Sequence, residues 1–554
     1  MSDIRRWTQF FIFIAFSTQA IAQSLPANMP PFTVTLNNSQ ADGHLFLTPL
    51  DITSPASNWP STVLLLDEQG SPVFYMPISS SNVSPYPRKS IGNFQVHDNG
   101  LMSFTDALFG PDENIMIMDS TFTIIDTVTC TAPYKLAGHD FVMTDDGHYH
   151  LLAMEDRIMD MSAFLTETGP YGDTNCVVTG HIIQEFDENQ VLVSEWKSLD
   201  YFALSDMYWY HIIIPSAVEH SHVNSLFVDH DGNYVISSRS LNEITRINRS
   251  TGEIMWRFGG KNNEFTIIGD TTQFTAQHDA QLLPDGRLVI FDNGTFTEPT
   301  QLARMVTYQM DTVAMTATTV DGHSHDNNFY SGFMGSARYV DPNHQLISWG
   351  GGYDYTVGTT IQEFDEFWNE TMAVNFQDGF VSYRAIKSIL PWSLDRPELI
   401  CDGVNSTLTG PAGASSYLWS TGDTTQSITI TATGIYQLWT EKGDGFMSSE
   451  PFEILDVNDI CQTAGLEGFV SVGVTVYPNP AREKITVRLI GNTDEIVEIS
   501  LIDLQGRLIQ TKNVMPENSD ITFNVSKLPT GLYRINLMNN NSKLVTTKLV
   551  NIMN

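Results

Sequence analysis

A repeated β-hairpin constrains the fold of this chain more than any other feature of its sequence. Each copy has a short apolar strand, a polar turn and a second strand, and the copies are VLLLDEQGSPVFY (63–75), IMIMDSTFTIIDTV (115–128), IIQEFDENQVLVSEW (182–196), ITRINRSTGEIMWRF (244–258), MVTYQMDTVAMTATTV (305–320) and IQEFDEFWNETMAVNF (361–376). A second hairpin accompanies each of the first five copies: FQVHDNGLMSF, DFVMTDDGHYHLL, SLFVDHDGNYVIS, AQLLPDGRLVIF and ARYVDPNHQLISW. Two hairpins make a four-stranded unit with a period of roughly 60 residues, which is typical of the blades of a β-propeller.

Local signals agree with this repeat. Apolar and polar residues alternate, β-branched and aromatic residues are frequent, and turns such as Asp231-Gly232 favour tight hairpins. Helical periodicity is scarce, and its main exception, residues 200–220, is interpreted as a long loop or a short helix. We predict an all-β protein in which residues 23–392 form a six-bladed propeller, completed by N-terminal strands (31–50) or by residues 383–389. Seven blades are the alternative, because terminal blades are often built from both chain ends.

The N-terminus predicts export. Arg5 and Arg6 precede the apolar run FFIFIAF, and Ala20-Ile21-Ala22 then offers a cleavage site before Gln23, so residues 1–22 are interpreted as a signal peptide. No later stretch is long and apolar enough to cross a bilayer. The net charge of −36 argues against a nucleic-acid partner, because phosphate binding requires lysine and arginine.

The four cysteines are interpreted in the light of export. Disulfide formation is the default for cysteines in an exported chain. Cys401 and Cys461 bracket a compact segment, and we predict that they pair. For Cys130 and Cys176 pairing is the weaker prediction, and either thiol could be free.

Two further modules follow the propeller. Residues 399–456 contain WSTGDTTQSITIT and GIYQLW, and this segment resembles the small immunoglobulin-like modules of bacterial surface proteins. Short strands at this spacing fit a β-sandwich, with Trp419 as its core aromatic residue.

Residues 470–554 closely resemble the C-terminal sorting domain of type IX secretion, which is a small β-sandwich. The matching residues are Tyr477-Pro478-Asn479-Pro480, Asp503 with Gly506, Leu528-Pro529-Thr530-Gly531-Leu532-Tyr533 and the terminal Lys548. The resemblance implies contact with the type IX secretion machinery and a secreted or cell-surface location. The alternative is a β-sandwich with no role in sorting.

Three histidines occupy equivalent places in three repeats. His139, His222 and His278 each stand at the start of the strand that we expect to be innermost in its blade. Because innermost strands line the central channel of a propeller, the three side chains are expected to meet at one mouth of the channel. Asn224 lies two residues after His222, on the same side of the strand, and Arg239 ends the return strand near the same mouth.

This set of side chains suits an oxyanion better than a metal. Three imidazoles can bind zinc, but an arginine beside them repels the ion. Arginine, histidine and asparagine instead offer a fork for a tetrahedral anion, neutral donors and a group that shuttles protons. An imidazole with an ordinary pKa of about 6.5 can also act as a nucleophile near neutral pH.

The segments HVNSLFVDHDGNYVISSR, STGEIMWRFGG and QHDAQLLPDGRLVIFDNG resemble the bacterial arylsulfotransferase family, over roughly residues 30–392. The resemblance implies a six-bladed propeller that moves a sulfuryl group from one phenol to another without a nucleotide donor (PAPS-independent), through a sulfohistidine. It implies that His278 is the nucleophile. His222, Asn224, Arg239 and His139 would bind and polarise the sulfuryl and phenolic oxygens.

Sulfuryl transfer needs no cofactor and no metal, and its small-molecule partners would be an aryl sulfate donor and a phenolic acceptor. Two other functions stay open: a binding module for a surface glycan, and a metal-dependent hydrolase or lyase that uses the channel histidines.

His220 is an alternative to His222 as the histidine that binds the substrate oxygens. A homodimer is compatible with the sequence.

Three other groups of side chains could have a function. Tyr208, Trp209 and Tyr210 could cover an aryl ring or pack between blades. His323 and His325 could bind a metal, although a solvated loop is the simpler interpretation. His148 and His150 share one face of a strand and are expected to serve packing or to lie at the surface.

Overall fold

The computed structural model places the chain in two compact units. It describes residues 25–552 except 27, 37–40, 53–58, 79–90, 107–113, 163–164, 167–168, 171–172, 209–215, 295–301, 326–329, 353–359, 459, 462–472, 478–480, 483, 491–495, 504–506, 515–519, 530 and 540–543. One unit comprises Met1–Ile400, Thr409–Ile428 and Tyr436–Pro451, and the other Cys401–Leu408, Thr429–Ile435 and Phe452–Asn554. The predicted signal peptide and the residues Trp209 and Tyr210 lie outside the described residues.

The first unit is built almost wholly of strands. In chain order they are β1 (Phe32–Leu36), β2 (His44–Asp51), β3 (Ser61–Leu66), β4 (Pro72–Ile78), β5 (Gly92–Val96), β6 (Met102–Asp106), β7 (Asn114–Met118), β8 (Ile124–Val128), β9 (Lys135–Met143), β10 (Tyr149–Met159), β11 (Leu165–Thr166), β12 (Gly169–Pro170), β13 (Cys176–Phe186), β14 (Leu192–Lys197), β15 (Ala217–Glu219), β16 (Val223–Val228), β17 (Tyr234–Ser238), β18 (Glu243–Ile247), β19 (Ile254–Gly259), β20 (Thr266–Ile268), β21 (His278–Leu282), β22 (Arg287–Asp292), β23 (Arg304–Asp311), β24 (Thr316–Ser324), β25 (Ser331–Phe333), β26 (Ser336–Asp341), β27 (His344–Ser348), β28 (Gly351–Gly352), β29 (Thr360–Asp365), β30 (Glu370–Phe376) and β31 (Phe380–Ser388). Helical structure in the described part of this unit is limited to α1 (Ser198–Tyr201) and the 3₁₀ turns Leu204–Asp206 and Arg239–Leu241. No helix among the described residues is long and apolar enough to span a membrane.

Six of the sheets share one antiparallel four-stranded pattern. Their strand orders are β31-β2-β3-β4, β5-β6-β7-β8, β9-β10-β13-β14, β16-β17-β18-β19, β21-β22-β23-β24 and β26-β27-β29-β30. We call the first strand of each sheet its lead strand. Each lead strand contacts the lead strand of the next sheet, and β26 contacts β31, so the six lead strands contact one another in cyclic order. The pairing confirms all eleven hairpins predicted from the repeat.

An aspartate at the start of the turn explains why these segments form hairpins. The Oδ1 of Asp229 accepts the backbone N–H of Asp231 at 2.9 Å and of Asn233 at 2.9 Å. Gly232 follows with φ +79°, a conformation that glycine adopts without steric cost. The same carboxylate bonds to the second and fourth following residues recur at Asp67, Asp119, Asp187 and Asp365.

The prediction that the N-terminal strands or residues 383–389 partner the sixth repeat copy (361–376) was wrong for β2 and β31. They join the first copy, β3 and β4, because the sixth copy pairs with the hairpin β26-β27 that precedes it. β31 pairs with β2, so the sheet that contains β3 and β4 joins an early strand to a late one. β1 instead pairs with β30, at the far edge of the sixth sheet. The prediction for residues 200–220 was incomplete, because the segment also contains β15, which pairs in parallel with β13.

Eight further strands lie between residues 400 and 454. They are β32 (Ile400–Asp402), β33 (Thr407–Thr409), β34 (Leu418–Trp419), β35 (Ser427–Thr429), β36 (Gly434–Tyr436), β37 (Leu438–Lys442), β38 (Gly445–Ser448) and β39 (Phe452–Ile454). β38 pairs with β4, and β37 and β34 follow, so the sheet led by β31 extends to seven strands. Trp419 is buried, with 1 % exposure. Two small sheets have the orders β32-β33-β35 and β36-β39.

The second unit contains two antiparallel sheets that share a buried apolar cluster. The strands of these two sheets are β40 (Gly473–Tyr477), β41 (Lys484–Ile490), β42 (Ile496–Asp503), β43 (Leu508–Asn513), β44 (Asp520–Asn524), β45 (Gly531–Asn539) and β46 (Leu544–Ile552), in the orders β40-β41-β44 and β43-β42-β45-β46. Val487 and Phe523 of one sheet and Leu501 and Ile535 of the other belong to this cluster.

The predicted disulfide between Cys401 and Cys461 is confirmed. Cys130 and Cys176, both in the described part of the chain, do not form a disulfide. Cys176 is buried, and the thiol of Cys130 donates to the carbonyl of Tyr134 at 3.3 Å.

Candidate active site

Three lead strands bring the predicted histidines together. His139 lies within β9, His222 immediately precedes β16, and His278 is the first residue of β21. The ring centroids of His139 and His222 are 5.1 Å apart. His278 is close enough to both for their charges to influence its pKa.

The backbone at this site adopts sparsely populated conformations. His222 has φ +44°, Ala276 +51° and Asp279 +51°, in the left-handed region that residues other than glycine seldom occupy. Such residues persist only where the surrounding structure holds them, and they cluster at functional sites. The carbonyl of His222 accepts the backbone N–H of Arg239 at 3.0 Å, which places the start of the 3₁₀ turn beside the histidine. The guanidinium of Arg239 donates to the carbonyl of Gly332 at 3.3 Å.

The ring of His278 is held in one tautomer. Its Nδ1 lies 2.6 Å from Oδ1 of Asn293. The amide nitrogen of Asn293 donates to the carbonyl of Met334 at 2.9 Å and to Oγ of Ser331 at 3.1 Å. Because the amide orientation is thereby fixed, Oδ1 is the acceptor and Nδ1 of His278 carries the proton. The lone pair of His278 is therefore on Nε2.

Burial and a neighbouring cation keep this imidazole neutral. His278 is 3 % exposed. Burial, followed by the charge of Arg239, holds the pKa of His278 well below its usual range. The ring is therefore a neutral nucleophile at neutral pH, beside a guanidinium that attracts anions.

The other two histidines are oriented in the same way. Nδ1 of His222 lies 2.8 Å from Oε2 of Glu219, and Nδ1 of His139 lies 2.9 Å from the hydroxyl of Tyr383. In each case an oxygen of the protein engages Nδ1, which leaves Nε2 for a ligand. Burial, followed by the charge of His222, lowers the pKa of His139 well below its usual range. Burial acts to raise the pKa of the Glu219 carboxyl, but His222, through its charge and its hydrogen bond, lowers it below its ordinary value.

A further histidine lies next to this pair. His181 is 1 % exposed, and its Nδ1 lies 3.3 Å from Oγ of Ser221. Its Nε2 is 3.5 Å from Oε1 of Glu219 and forms no hydrogen bond with any residue that the structure describes. Burial lowers the pKa of His181 to about 4.

Asn224 and Arg384 form the base of the site. Asn224 is fully buried, and its amide donates to the carbonyl of Gln277 at 2.7 Å, which fixes the residue before the nucleophile. The guanidinium of Arg384, from β31, donates to the carbonyl of Asn224 at 2.8 Å and pairs with Asp140 of β9 at 2.9 Å. Arg384 therefore links the lead strands β31, β16 and β9 through one hydrogen bond and one ion pair.

Comparison with known families places this geometry in context. The sequence model of the Arylsulfotransferase (ASST) family matches residues 34–384, more than half of the chain. The chain belongs to the arylsulfotransferase family. Membership implies a sulfotransferase that takes an aryl sulfate donor and a phenol acceptor.

A model of the secretion-system C-terminal sorting domain matches residues 475–552 of this arylsulfotransferase. The domain is that of type IX secretion, so the protein is exported and is secreted or attached to the cell surface. No curated protein gives a significant match.

Solved structures show only distant likeness. A protein of unknown function from Bacteroides caccae is 10% identical, with a TM-score of 0.39, over 62% of this chain and 98% of that chain. Virginiamycin B lyase from Staphylococcus aureus is 12% identical, with a TM-score of 0.26, over 63% of this chain and 100% of that chain. A protein from Lactobacillus plantarum is 10% identical, with a TM-score of 0.30, over 74% of this chain and 99% of that chain. At these TM-scores the likenesses carry no argument about activity.

The site also contains residues that could hold a metal ion. Ligand atoms of His139, Glu219 and His222 all lie within 4.8 Å of one another. Two imidazoles and a carboxylate are a ligand set that zinc and other first-row metals accept.

Sequence reasoning missed four residues of this arylsulfotransferase site: Asn293, Glu219, His181 and Tyr383. Asn293 falls in the FDNG end of a motif already singled out, fifteen residues after His278. Glu219 stands three residues before His222, and the bend at residues 220–221 brings the two side chains together at 2.8 Å. His181 and Tyr383 lie on other strands and gave no local signal.

The competing and peripheral histidines serve other contacts. Nε2 of His220 bonds to the carbonyl of Ala203 at 2.9 Å, away from the three histidines described above. His150 is fully buried against Tyr234, while His148 bonds to Glu185 at 2.6 Å. The ring of His323 stacks on Trp368 with centroids 4.7 Å apart, so this histidine packs against aromatic residues.

Proposed function

We propose that this protein is a PAPS-independent aryl sulfotransferase that carries the sulfuryl group on Nε2 of His278. The observation that carries the proposal is the fixed tautomer of a buried, neutral His278 beside Arg239. Asn293 holds the proton on Nδ1, so the lone pair of Nε2 is available to attack sulfur.

The first half-reaction transfers the group to the enzyme. Nε2 of His278 forms a bond to the sulfur of an aryl sulfate, and the bond between sulfur and the phenolic oxygen breaks. The phenolate leaves with the bonding pair and takes the Nε2 proton of His222, which enters this half-reaction as the imidazolium and keeps its Nδ1–H bonded to the carboxylate of Glu219. Arg239 balances the negative charge on the sulfuryl oxygens.

The second half-reaction releases the group. An acceptor phenol gives its proton to His222 and attacks sulfur, and the bond between sulfur and Nε2 breaks. His278 returns to its neutral state, and the aryl sulfate of the acceptor leaves. Two displacements on one nucleophile predict ping-pong kinetics.

His139 and Asn224 complete the proposed set. His139 directs Nε2 towards the same space as His222, because Tyr383 engages its Nδ1. Asn224 has given one amide hydrogen to Gln277 and keeps the second for a sulfuryl oxygen, so it both positions the nucleophile and contacts the substrate.

The wider architecture that we propose follows from the strand contacts. The cyclic contacts of the six lead strands support a six-bladed propeller over residues 23–392, with the site at one mouth of its channel. Residues 1–22 would be a signal peptide, residues 399–456 an immunoglobulin-like module, and residues 470–554 a β-sandwich that carries the sorting function.

Turnover by the full-length chain tests the proposal. With 4-nitrophenyl sulfate as donor, nitrophenol release should depend on added phenol, and His278→Gln should abolish it. His344→Gln is the matched control, since His344 pairs with Asp341 at a hairpin turn, at 2.8 Å. Phenol-dependent release that survives in His278→Gln would refute the assignment of the nucleophile, and no release by the wild-type chain would refute the activity with this class of donor.

A further inference from the structure

The part of the site that surrounds Glu219 offers more donors than sulfuryl transfer uses. Glu219 lies 2.8 Å from His222 and 3.5 Å from His181, and His222 is the ring neighbour of His139. The roles proposed above leave His181 without a function, although a buried nitrogen without a hydrogen-bond partner is costly.

We propose that His139, Glu219 and His222 form a binding site for a divalent transition-metal ion of the zinc class, with His181 as a fourth ligand. A metal ion at this site would occupy the two histidines that the aryl sulfate requires. The ion would therefore inhibit sulfuryl transfer, and this inhibitory consequence rests on the proposed function, whereas metal binding does not.

The ligand types select the metal. Three imidazoles and one carboxylate match the preferences of zinc, copper and nickel, whereas calcium and magnesium require oxygen ligands. The donors come from four segments of chain: β9, β13, β15 and the residue before β16. They are therefore fixed by the fold and not by one flexible loop.

The surroundings orient the donors as a metal site requires. A histidine that binds a metal generally gives its other ring N–H to an oxygen. The hydroxyl of Tyr383 engages Nδ1 of His139, and Oγ of Ser221 lies 3.3 Å from Nδ1 of His181. In both rings Nε2 is left for the ion, and in His181 this is the buried nitrogen that has no hydrogen-bond partner among the described residues.

Distances and charges are compatible with binding. Donors around tetrahedral zinc stand about 3.3 Å apart, so the ligand atoms of His139, Glu219 and His222, which lie within 4.8 Å of one another, must approach by up to about 1.5 Å. For His181 the relevant distance is 3.5 Å, from its Nε2 to Oε1 of Glu219. The carboxylate of Glu219 can turn towards an ion, because its side chain is 39% exposed. Arg239, which repels a metal ion, acts chiefly on His278 and is not among the main charges that shift the pKa values of His139, His181 or Glu219. Arg384 opposes a cation near His139, but its charge is matched by Asp140 at 2.9 Å.

Zinc titration of the full-length chain without a histidine tag tests the proposal in the absence of substrate. We expect one zinc ion per chain by calorimetry, with magnesium giving no signal. Glu219→Gln should weaken zinc binding about 100-fold, and Tyr383→Phe about tenfold, as expected for the loss of a ligand and of an outer-shell partner. Asp341→Asn is the matched control, because Asp341 and His344 form a second carboxylate–histidine pair of the same spacing, and it should leave the affinity unchanged.

The outcomes separate this proposal from the proposed function. Absence of stoichiometric zinc binding would overturn the proposal, as would equal affinities of Glu219→Gln and the wild-type chain when circular dichroism shows both to be folded. If the wild-type chain transfers sulfuryl groups, zinc should inhibit competitively with the donor, and a chelator should restore the rate. Zinc binding by a chain that never turns over would support the metal site while refuting the sulfotransferase.

Discussion

Replacing Asn293 by leucine tests the chemical core of the account. Leucine keeps the volume of the amide but removes the acceptor that lies 2.6 Å from Nδ1 of His278. A buried N–H that loses its acceptor costs about 1–3 kcal/mol, and because His278 is only 3 % exposed we expect the upper part of this range. In Asn293→Leu this cost destabilises the tautomer of His278 that carries its proton on Nδ1. The tautomer that carries its proton on Nε2 is not destabilised, because its N–H points into the open site. With a penalty of about 2–3 kcal/mol, the reactive tautomer becomes roughly 30- to 150-fold rarer.

The rate of the nitrophenol burst in the absence of acceptor measures the first half-reaction, in which Nε2 of His278 attacks sulfur. In Asn293→Leu the burst rate should fall by roughly 30- to 150-fold, while the donor affinity stays near that of the wild type, because Asn293 does not face the substrate. The control is Asn375→Leu on β30, where Asn375 accepts a hydrogen bond from Thr360 at 3.1 Å, far from the site. A wild-type burst rate in folded Asn293→Leu would refute the tautomer argument.

Three further predictions concern stability. Arg384→Met leaves Asp140 buried without its charged partner and should lower the unfolding free energy by about 3–5 kcal/mol in denaturant titrations. If the unfolding free energy falls by no more than it does when a surface arginine is replaced by methionine, the ion pair of Arg384 and Asp140 does not stabilise the fold as argued. Burial lowers the pKa of His97 to about 4, so below about pH 6.5 the unfolded chain binds a proton that the folded chain does not. His97 alone should therefore contribute up to about 3 kcal/mol to the loss of stability between pH 6.5 and pH 4, and His97→Gln should reduce the total loss by that amount. Cys401→Ala opens a disulfide with a sequence separation of 60 and should destabilise its unit by about 4 kcal/mol; a reductant should have the same effect on the wild-type chain and none on the variant.

The repeat made the sheets predictable. Each hairpin carries its own turn signal, such as Asp229 and Gly232, and the hydrogen bonds that close the turn are local. Because equivalent positions of successive repeats lie on or directly before lead strands, the sequence alone predicts that His139, His222 and His278 converge.

The other residues of the site could not be predicted, because they reach the histidines through pairing of strands that are distant in sequence. Glu219 lies on β15, which adds in parallel to β13 through a segment with no clear periodicity. Tyr383 reaches His139 only because β31 pairs with β2 and stands next to β5 in the cyclic order. No spacing in the sequence reports such contacts. The environment of the histidines was therefore less predictable than the histidines themselves.

The most direct test of the central claim is mass analysis of the peptide that contains His278, after brief incubation of the full-length chain with 4-nitrophenyl sulfate and no acceptor. The account predicts a labile sulfuryl group on His278 that disappears when phenol is added, in proportion to the aryl sulfate formed. A chain that turns over donor and acceptor while the sulfuryl group is found on another residue, or on none, would contradict it.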